Sequence, residues 1–270
     1  MLPLPYPIRR APRECWPLFA ASMALLMGAC SAPSITAGVG MAQLTSSGSF
    51  GATDSGVVVT SSMDSLGLAQ EESTLLPRIF MRDGRRALEL SGFRVDYEGQ
   101  GAVEATITLN GTTLLAGTAV DSGFGMGAYS AVLTWDVARF GSSVLGLGFG
   151  LEWIDLDVAL DETAGVLSLR SSQQFPLPLI GVRLSSEDSP VSGSLNLGWI
   201  SLSAPEATAT VLDVDARIDV RLMGRKGGTI MMGMLGYRNF DMEVSYDDGG
   251  SQIEADFNIG GPYVGLRFSF

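Results

Sequence analysis

Charged residues at alternate positions are the most conspicuous candidates for chemistry in this sequence. In the stretch LDVDARIDVRL, carboxylates and guanidinium groups occupy every second position, with aliphatic side chains between them. This charged row consists of Asp213, Asp215, Arg217, Asp219 and Arg221. If such a row lines a conduit, its rings of charge would set ion selectivity. If it lies in a closed interior, the same groups would pair into salt bridges.

Further charged residues would join this row if neighbouring strands bring them to the same face. They are Asp241, Glu243, Arg183, Arg267, Glu152, Glu89 and Asp136. We predict that all of these groups line an interior, which would be a polar conduit with a mild cation preference if it is open. Side chains nearly fill a barrel of about eight strands, so a packed network of salt bridges is the favoured interpretation.

Other kinds of site are disfavoured by the composition. The sequence has no histidine, which removes the commonest general base and the commonest zinc ligand. Its formal net charge of -12 argues against a nucleic-acid partner. The stretch GLGFG has no helix after it, unlike a nucleotide-binding loop, and DLDVALDET and YDDGG lack calcium-loop spacing. We therefore predict no cofactor, no metal site and no enzymatic activity; a surface enzyme acting on lipid or peptide is an alternative.

The elements that must position the charges are indicated by alternation with a period of two between turn signals. From residue 51 onward, long segments such as VLGLGFGLEW alternate in this way, and none has helical periodicity. Strands of soluble sheets are usually about 5 to 6 residues long, whereas strands that cross a bilayer run about 9 to 11 residues plus extensions. The sequence therefore predicts an all-β fold, an antiparallel transmembrane β-barrel. A soluble, lipocalin-like barrel with Leu212 to Leu222 inside is the alternative.

Turn signals divide this region into about ten strands, with eight as the alternative count. The predicted strands are 53–62, 74–82, 86–97, 118–137, 141–159, 166–184, 189–203, 206–224, 228–247 and 251–270. An even number places both termini on one side, which we expect to be the periplasm. The connection at 98–117 contains ATITLNGTTLLAG, which predicts an extracellular hairpin.

Two strands have irregular patterns. In 228–247, an apolar row that includes Phe240 and Met242 is expected to face lipid, opposite Asp241 and Glu243, and Arg238 interrupts this row. In 251–270, the apolar residues change parity after Ile259, so GGP at 260–262 is predicted to be a bulge that switches the two faces.

The N-terminal segment predicts export. Arginines between residues 9 and 13 precede an apolar run that is too short for a comfortable membrane helix, so 1–29 is predicted to be a signal peptide. Its end, LMGAC, resembles the lipobox of bacterial lipoproteins, which implies acylation of Cys30 as the mature N-terminus. Ordinary cleavage between Ala42 and Gln43 is the alternative. Residues 30–50 are predicted to be a flexible tether, and 51–270 the barrel.

The chain ends in GPYVGLRFSF, with apolar residues at every second position up to a terminal aromatic. They are Val264, Leu266, Phe268 and Phe270. This pattern resembles the C-terminal signal that the assembly machinery of Gram-negative bacteria reads in outer-membrane barrels. The resemblance implies an outer-membrane location, with that machinery, outer-membrane lipid and lipopolysaccharide as partners.

The stretches DSLGLAQEESTLLPRI, QFPLPLIGVRL and GGPYVGLRFSF also resemble a family of small outer-membrane barrel proteins. This second resemblance implies the fold and no assigned activity, since a fold does not supply a function. The function expected from the sequence is a structural or interaction role with at most narrow solute passage. An open channel is the alternative.

Overall fold

The computed structural model describes residues 33–54, 60–68, 71–104, 106–109, 112–165, 167–186, 190–204, 207–224, 228–247 and 251–270. The regular structure within these ranges consists of β-strands. No helix among the described residues is long and apolar enough to cross a membrane. The strands are β1 (Ser34–Asp54), β2 (Thr60–Ser62), β3 (Glu71–Asp83), β4 (Arg86–Ala102), β5 (Ile107–Leu109), β6 (Thr112–Leu114), β7 (Ala119–Phe140), β8 (Ser143–Glu162), β9 (Ser168–Ser186), β10 (Val191–Ala204), β11 (Ala207–Met223), β12 (Ile230–Asp247) and β13 (Ser251–Ser269).

Ten of these strands form a closed antiparallel barrel. Their order is β1, β3, β4, β7, β8, β9, β10, β11, β12 and β13, and β13 pairs back onto β1. The short strand β2 pairs with β1, and β5 and β6 form a separate hairpin in the connection from β4 to β7. The predicted all-β antiparallel barrel of ten strands is therefore confirmed, and so is the hairpin in the 98–117 connection.

The register of the strand pairs sets the stagger of the barrel. Starting at Trp199 on β10, successive pairs lead through β11, β12 and β13 to Ser47 on β1. In the other direction they lead through β9, β8, β7, β4 and β3 to Ile35 on the same strand. The two paths meet β1 at residues 47 and 35, twelve residues apart. A stagger of this size requires strongly tilted strands, as in other closed barrels.

The first barrel strand differs from its prediction. Residues 34–50, expected to be a tether, form most of β1, and the strand predicted at 53–62 begins where β1 ends. The small residues that suggested flexibility instead face the interior opposite bulky side chains: a Cβ on Gly40 would lie 3.1 Å from the Tyr263 ring. Cleavage between Ala42 and Gln43 would cut through this strand. The predicted signal peptide and Cys30 lie outside the described residues.

An apolar belt surrounds the half of the barrel in which β1 begins and β13 ends. It consists of exposed side chains at alternate positions of most strands, including Val39, Met41, Leu75, Ile79, Leu147, Phe149, Ile180, Leu184, Ile218, Val220, Leu222, Leu235, Val264, Leu266, Phe268 and Phe270. Exposed Trp199 and Tyr237 lie at its far edge, since the next outward residues on their strands are Ser201 and Asn239. Aromatic residues at the edge of an apolar belt are typical of membrane barrels.

Beyond this belt the chemistry of the two faces is exchanged, while the strands keep their parity. On β13, Phe257 and Ile259 are buried inside the barrel, and the outward positions are Asp256 and Asn258. β13 keeps one register with β12 from Gln252 to Ser269, so the bulge predicted at 260–262 is wrong. The apolar residues change sides because the wall leaves the belt and encloses an apolar core.

The facing predicted for β12 is reversed along the strand, since Met232 and Met234 in the belt half are also buried inside, whereas Leu235 and Tyr237 are exposed. Phe240 and Met242 are fully buried inside the barrel instead of facing lipid. Asp241 and Glu243, predicted to line the interior, alternate with them and therefore face outward. Arg238 shares the inward face of Phe240, which explains why it interrupts the apolar row.

The far half of the barrel is filled by an apolar core, which has no counterpart in the predictions. It includes Phe93, Val95, Tyr97, Phe124, Met126, Ile154, Leu160, Leu177, Val211, Phe240, Met242, Phe257 and Ile259. The rings of Phe124 and Phe257 lie 4.8 Å apart. The segment 60–68 folds into this core, where Met63, Leu66 and Leu68 are fully buried.

Candidate functional site

The charged residues that face the interior form a network in the half surrounded by the apolar belt. Eight of the ten barrel strands place them there, because β3, β4, β7, β8, β9, β11, β12 and β13 each carry a charge at an inward position, at a height where most outward positions are apolar. At the centre, Arg78 of β3 forms a bidentate ion pair with Asp215 of β11, and its Nη1 lies 3.1 Å from Glu89 of β4. Tyr263 of β13 donates its hydroxyl proton to Asp215 at 3.0 Å. Side chains from four strands thus meet across the barrel.

Nearer the chain ends, Asp219 joins two arginines. Its Oδ2 lies 3.2 Å from Nε of Arg217 and 2.7 Å from Nη1 of Arg267. Asp219 is 1% exposed, so this carboxylate depends on the two guanidinium groups for its compensation. The arrangement ties β11 to the closing strand β13.

A second group of charges lies across the barrel around Asp136 of β7. This carboxylate pairs with Arg82 of β3 and lies 2.7 Å from Nη2 of Arg183 of β9. Arg183 also donates to the hydroxyls of Thr134 and Ser185. Arg139, on the same strand as Asp136, completes the group at 3.0 Å.

A third group lies directly below the apolar core. Arg238 is fully buried, donates twice to Asp213 at 2.7 and 3.1 Å, and stacks over the ring of Phe93 at 4.9 Å. Glu152, which interacts electrostatically with Asp213 and Arg238, is also fully buried. Both carboxylate oxygens of Glu152 lack a hydrogen-bond partner among the described residues. Arg238 therefore carries most of the compensation for two carboxylates.

The buried part of the network leaves little space. Apart from Arg139 at its exposed rim, it contains six arginines and six acidic side chains: Arg78, Arg82, Arg183, Arg217, Arg238 and Arg267, with Glu89, Asp136, Glu152, Asp213, Asp215 and Asp219. An internal cavity of about 40 Å³ lies between Arg78, Ser130, Asn196 and Gly198. A water needs a cavity volume of roughly 10–15 Å³, so this cavity suits a few waters and is too small for a solute pathway.

No family model matches this sequence, and no curated protein matches it. The structure is similar to that of the outer membrane protease OmpT from Escherichia coli, with a TM-score of 0.57 and 10% identity over 88% of this chain and 97% of that one. The chain has the fold of an outer-membrane β-barrel. At 10% identity this likeness concerns the fold alone.

Two other structures are similar over comparable lengths with lower scores. Ail, the attachment invasion locus protein of Yersinia pestis, covers 88% of this chain and 99% of its own at 8% identity, with a TM-score of 0.32. A FadL homologue from Pseudomonas aeruginosa covers 90% of this chain and 91% of its own at 8% identity, with a TM-score of 0.34. Scores this low carry no argument about function.

Most of the charged residues predicted for the interior lie together in the network. These are Asp213, Asp215, Arg217, Asp219, Arg183, Arg267, Glu152, Glu89 and Asp136. Asp241 and Glu243 do not belong to it, and Arg221 lies exposed at the end of its strand. Arg78, Arg82, Arg238 and Tyr263 belong to it and were missed. For Arg78 the alternation in TLLPRIFMRD was the available signal.

The apolar residues of the C-terminal pattern lie on the outer face of β13. Val264, Leu266, Phe268 and Phe270 are all exposed there, and Arg267 faces inward. No group of acidic or cysteine side chains suited to holding a metal ion occurs among the residues described.

Proposed function

We propose that this protein is a sealed outer-membrane β-barrel with a structural or interaction role. The observation that carries this proposal is the filled interior. A network of twelve ionisable side chains occupies the belt half, and an apolar core occupies the other half. Ions would have to cross both layers, and the apolar core offers them no polar partner. The polar wall beyond the belt is then the part available to partners outside the membrane.

The proposed orientation places both chain ends in the periplasm. β1 begins and β13 ends at the same edge of the barrel, where Thr36 pairs with Ser269. Because β1 begins at Ser34, an acylated Cys30 would lie only four residues before the wall. We propose that this lipid anchors the protein in the inner face of the outer membrane. Outer-membrane lipid, lipopolysaccharide and the barrel assembly machinery remain its proposed partners.

An open channel with a cation preference is less well supported. Six buried arginines match six acidic side chains in the network, so the interior carries no net negative charge that would favour cations. The cavity of about 40 Å³ also lacks the size of a conduit. The structural likeness to a protease concerns the fold alone, so it assigns no catalytic residues to this chain.

Conductance across planar lipid bilayers tests this function. We expect the purified protein, folded as judged by heat-modifiable mobility on a gel, to give no stable conductance. Asp219→Asn, which frees Arg217 and Arg267, should not create a channel, because the apolar core remains. A stable channel in the wild type, with an ion selectivity that Asp219→Asn alters, would establish the open channel instead.

A further inference from the structure

The barrel wall has a notch between β9 and β10. These two strands pair only from Ser185 and Ser194 to Ile180 and Trp199. Beyond that point β9 remains paired with β8 as far as Ser168, and β10 remains paired with β11 as far as Ala204. Among the described residues, the facing edges of 168–179 and 200–204 have no ladder between them. The two strands therefore diverge while the strands on either side stay closed.

Two prolines explain where the ladder ends. Pro176 and Pro178 lie on β9 just beyond Ile180, and proline has no N–H to donate. β9 keeps an unbroken register with β8 through both residues. Their missing donors therefore fall on the side of β10, where alternate residues of a strand would direct their N–H groups.

The barrel wall has a second incomplete seam, between β3 and β4. β3 and β4 pair only as far as Arg78 and Ser91, and Pro77 lies immediately beyond. Here the segment 60–68 fills the space inside the seam and bridges β1 and β4: the Ser46 hydroxyl donates to Leu68 at 2.8 Å, and Ser65 accepts a hydrogen bond from the backbone of Ala102 at 3.1 Å. No described segment does this at the β9–β10 notch.

The notch joins the apolar belt to the interior. At its base, Ile180 and Trp199 face outward and are exposed at the far edge of the belt. Its inner sides carry Leu177, Leu179 and Ile200, which are buried, and Leu202, which shares their inward parity and is 44% exposed. An apolar path thus runs from the lipid-facing surface into the barrel.

Space lies directly inside the base of the notch. The internal cavity is lined there by Leu179 and Gly198. A Cβ on Gly198 would meet only the flexible end of Leu179, at 3.2 Å, and more distant atoms of Asp213. Much of the remaining lining is charged, including Arg78, Glu89 and Asp215, so an apolar group would reach only the edge of the cavity at Leu179.

We propose that the β9–β10 notch is a lateral port that takes the acyl chain of a membrane lipid. The lipid would belong to the leaflet farther from the chain ends, because the base of the notch lies at the aromatic edge of the belt on that side. The end of its chain would lie between Leu177 and Leu202 and reach no farther than Leu179 at the edge of the cavity. An extended peptide is a poorer occupant, because Pro176 and Pro178 deprive the free edge of β9 of two donors. This binding activity goes beyond the proposed structural role, for which the notch is not needed.

Photolabelling of the protein in vesicles tests the port. The vesicles would consist of phosphatidylethanolamine and phosphatidylglycerol, with a trace of phosphatidylcholine that carries a diazirine at the end of one acyl chain. After irradiation, we expect mass spectrometry to find label on inward Leu177, Leu179 and Leu202 as well as on belt residues. Label confined to outward residues such as Ile180 and Trp199 would overturn the proposal.

The double variant Pro176→Thr/Pro178→Thr tests the cause. It supplies the two missing donors, so we expect the ladder to extend and the label on the inward leucines to fall to background. Pro77→Thr is the matched control, because its seam is already filled, and it should label like the wild type. Heat-modifiable mobility checks that both fold. Unchanged inward label in the double variant would refute the role of the prolines.

The wild-type measurement distinguishes the other occupant. Absence of label from the inward leucines, combined with slow hydrogen exchange at 200–204, would overturn the lipid port and indicate a bound peptide strand. Conductance measures a different property. A failure of the port and a failure of the sealed barrel are therefore distinguishable.

Discussion

Each proline within the barrel strands interrupts a ladder on one side only. The ladder beyond Pro77 ends on the side of β4, and the ladder beyond Pro178 ends on the side of β10. On the β1 side, the pairs of Pro262 with Gln43 and of Gly261 with Leu44 are missing, but the β1–β13 register resumes unchanged. Because proline has no N–H to donate, it fits into a strand only where the ladder hydrogen bond on that side is absent. Single residues thus decide which seams of the wall are weak.

Arg238 and Glu152 are expected to respond oppositely to neutralisation. Removing a partner from a buried ion pair costs about 3–5 kcal/mol, because the remaining charge is left uncompensated. Arg238→Met, which leaves Asp213 and Glu152 without their guanidinium, should therefore lower the free energy of unfolding by an amount of this order. Glu152→Gln removes a buried charge that has no hydrogen bonds, and should be neutral or stabilising.

Urea titration in detergent, followed by heat-modifiable gel mobility, measures both changes. Glu243→Gln is the control, since it neutralises an exposed carboxylate on the outer face of the strand that carries Arg238. If Arg238→Met is as stable as this control, the charge network does not stabilise the fold.

At the scale of the strands, much could be predicted from the sequence because alternation directly reports a two-sided element. The charged row at 213–219 and the apolar residues of β13 from Val264 onward lie on the faces predicted for them. Alternation does not report which face is inside, however. Phe257 and Phe240 were assigned to lipid because the pattern is the same for a lipid-facing row and a core-facing row.

The failure to predict strand β1 has a related cause. Its inward positions are small because Arg267 and Tyr263 on the facing strand need the room, and small residues in sequence are also typical of linkers. The seams were not predictable for another reason. A proline in sequence does not show which of two neighbouring strands loses its hydrogen bond, since that depends on the register.

The role of β1 in the wall can be tested on two adjacent residues. Gly40 faces Tyr263, and inserting side-chain atoms into a packed interior typically costs about 1–3 kcal/mol. Gly40→Leu should therefore lower the free energy of unfolding by this order. Met41→Leu changes an outward residue that is exposed in the belt, and should leave stability unchanged. If the two variants have equal urea midpoints, residues 34–50 do not form a wall strand.

At the scale of the whole molecule, the barrel consists of two layers with opposite chemistry. In the belt layer the outside is apolar and the inside is charged. In the far layer the inside is apolar and the outside is polar, as shown by Arg94, which bonds to Asp96, Asp155 and Asp157 on the outer surface. The far layer is thus built like a soluble barrel. It needs water outside it, so it must stand clear of the bilayer.

The depth and direction of insertion follow from this division and can be measured on one strand. Ser172 and Ile180 both face outward on β9, but Ser172 lies in the far layer and Ile180 in the belt. On intact cells, a membrane-impermeant maleimide should label Ser172→Cys, because water reaches that surface, and should not label Ile180→Cys. Unfolding in urea should expose both thiols, which controls for expression, and the wild type gives the background. Labelling of Ser172→Cys only after the cells are broken would place the far layer in the periplasm and reverse the proposed orientation, whereas equal labelling of both on intact cells would mean that the belt is not embedded in lipid.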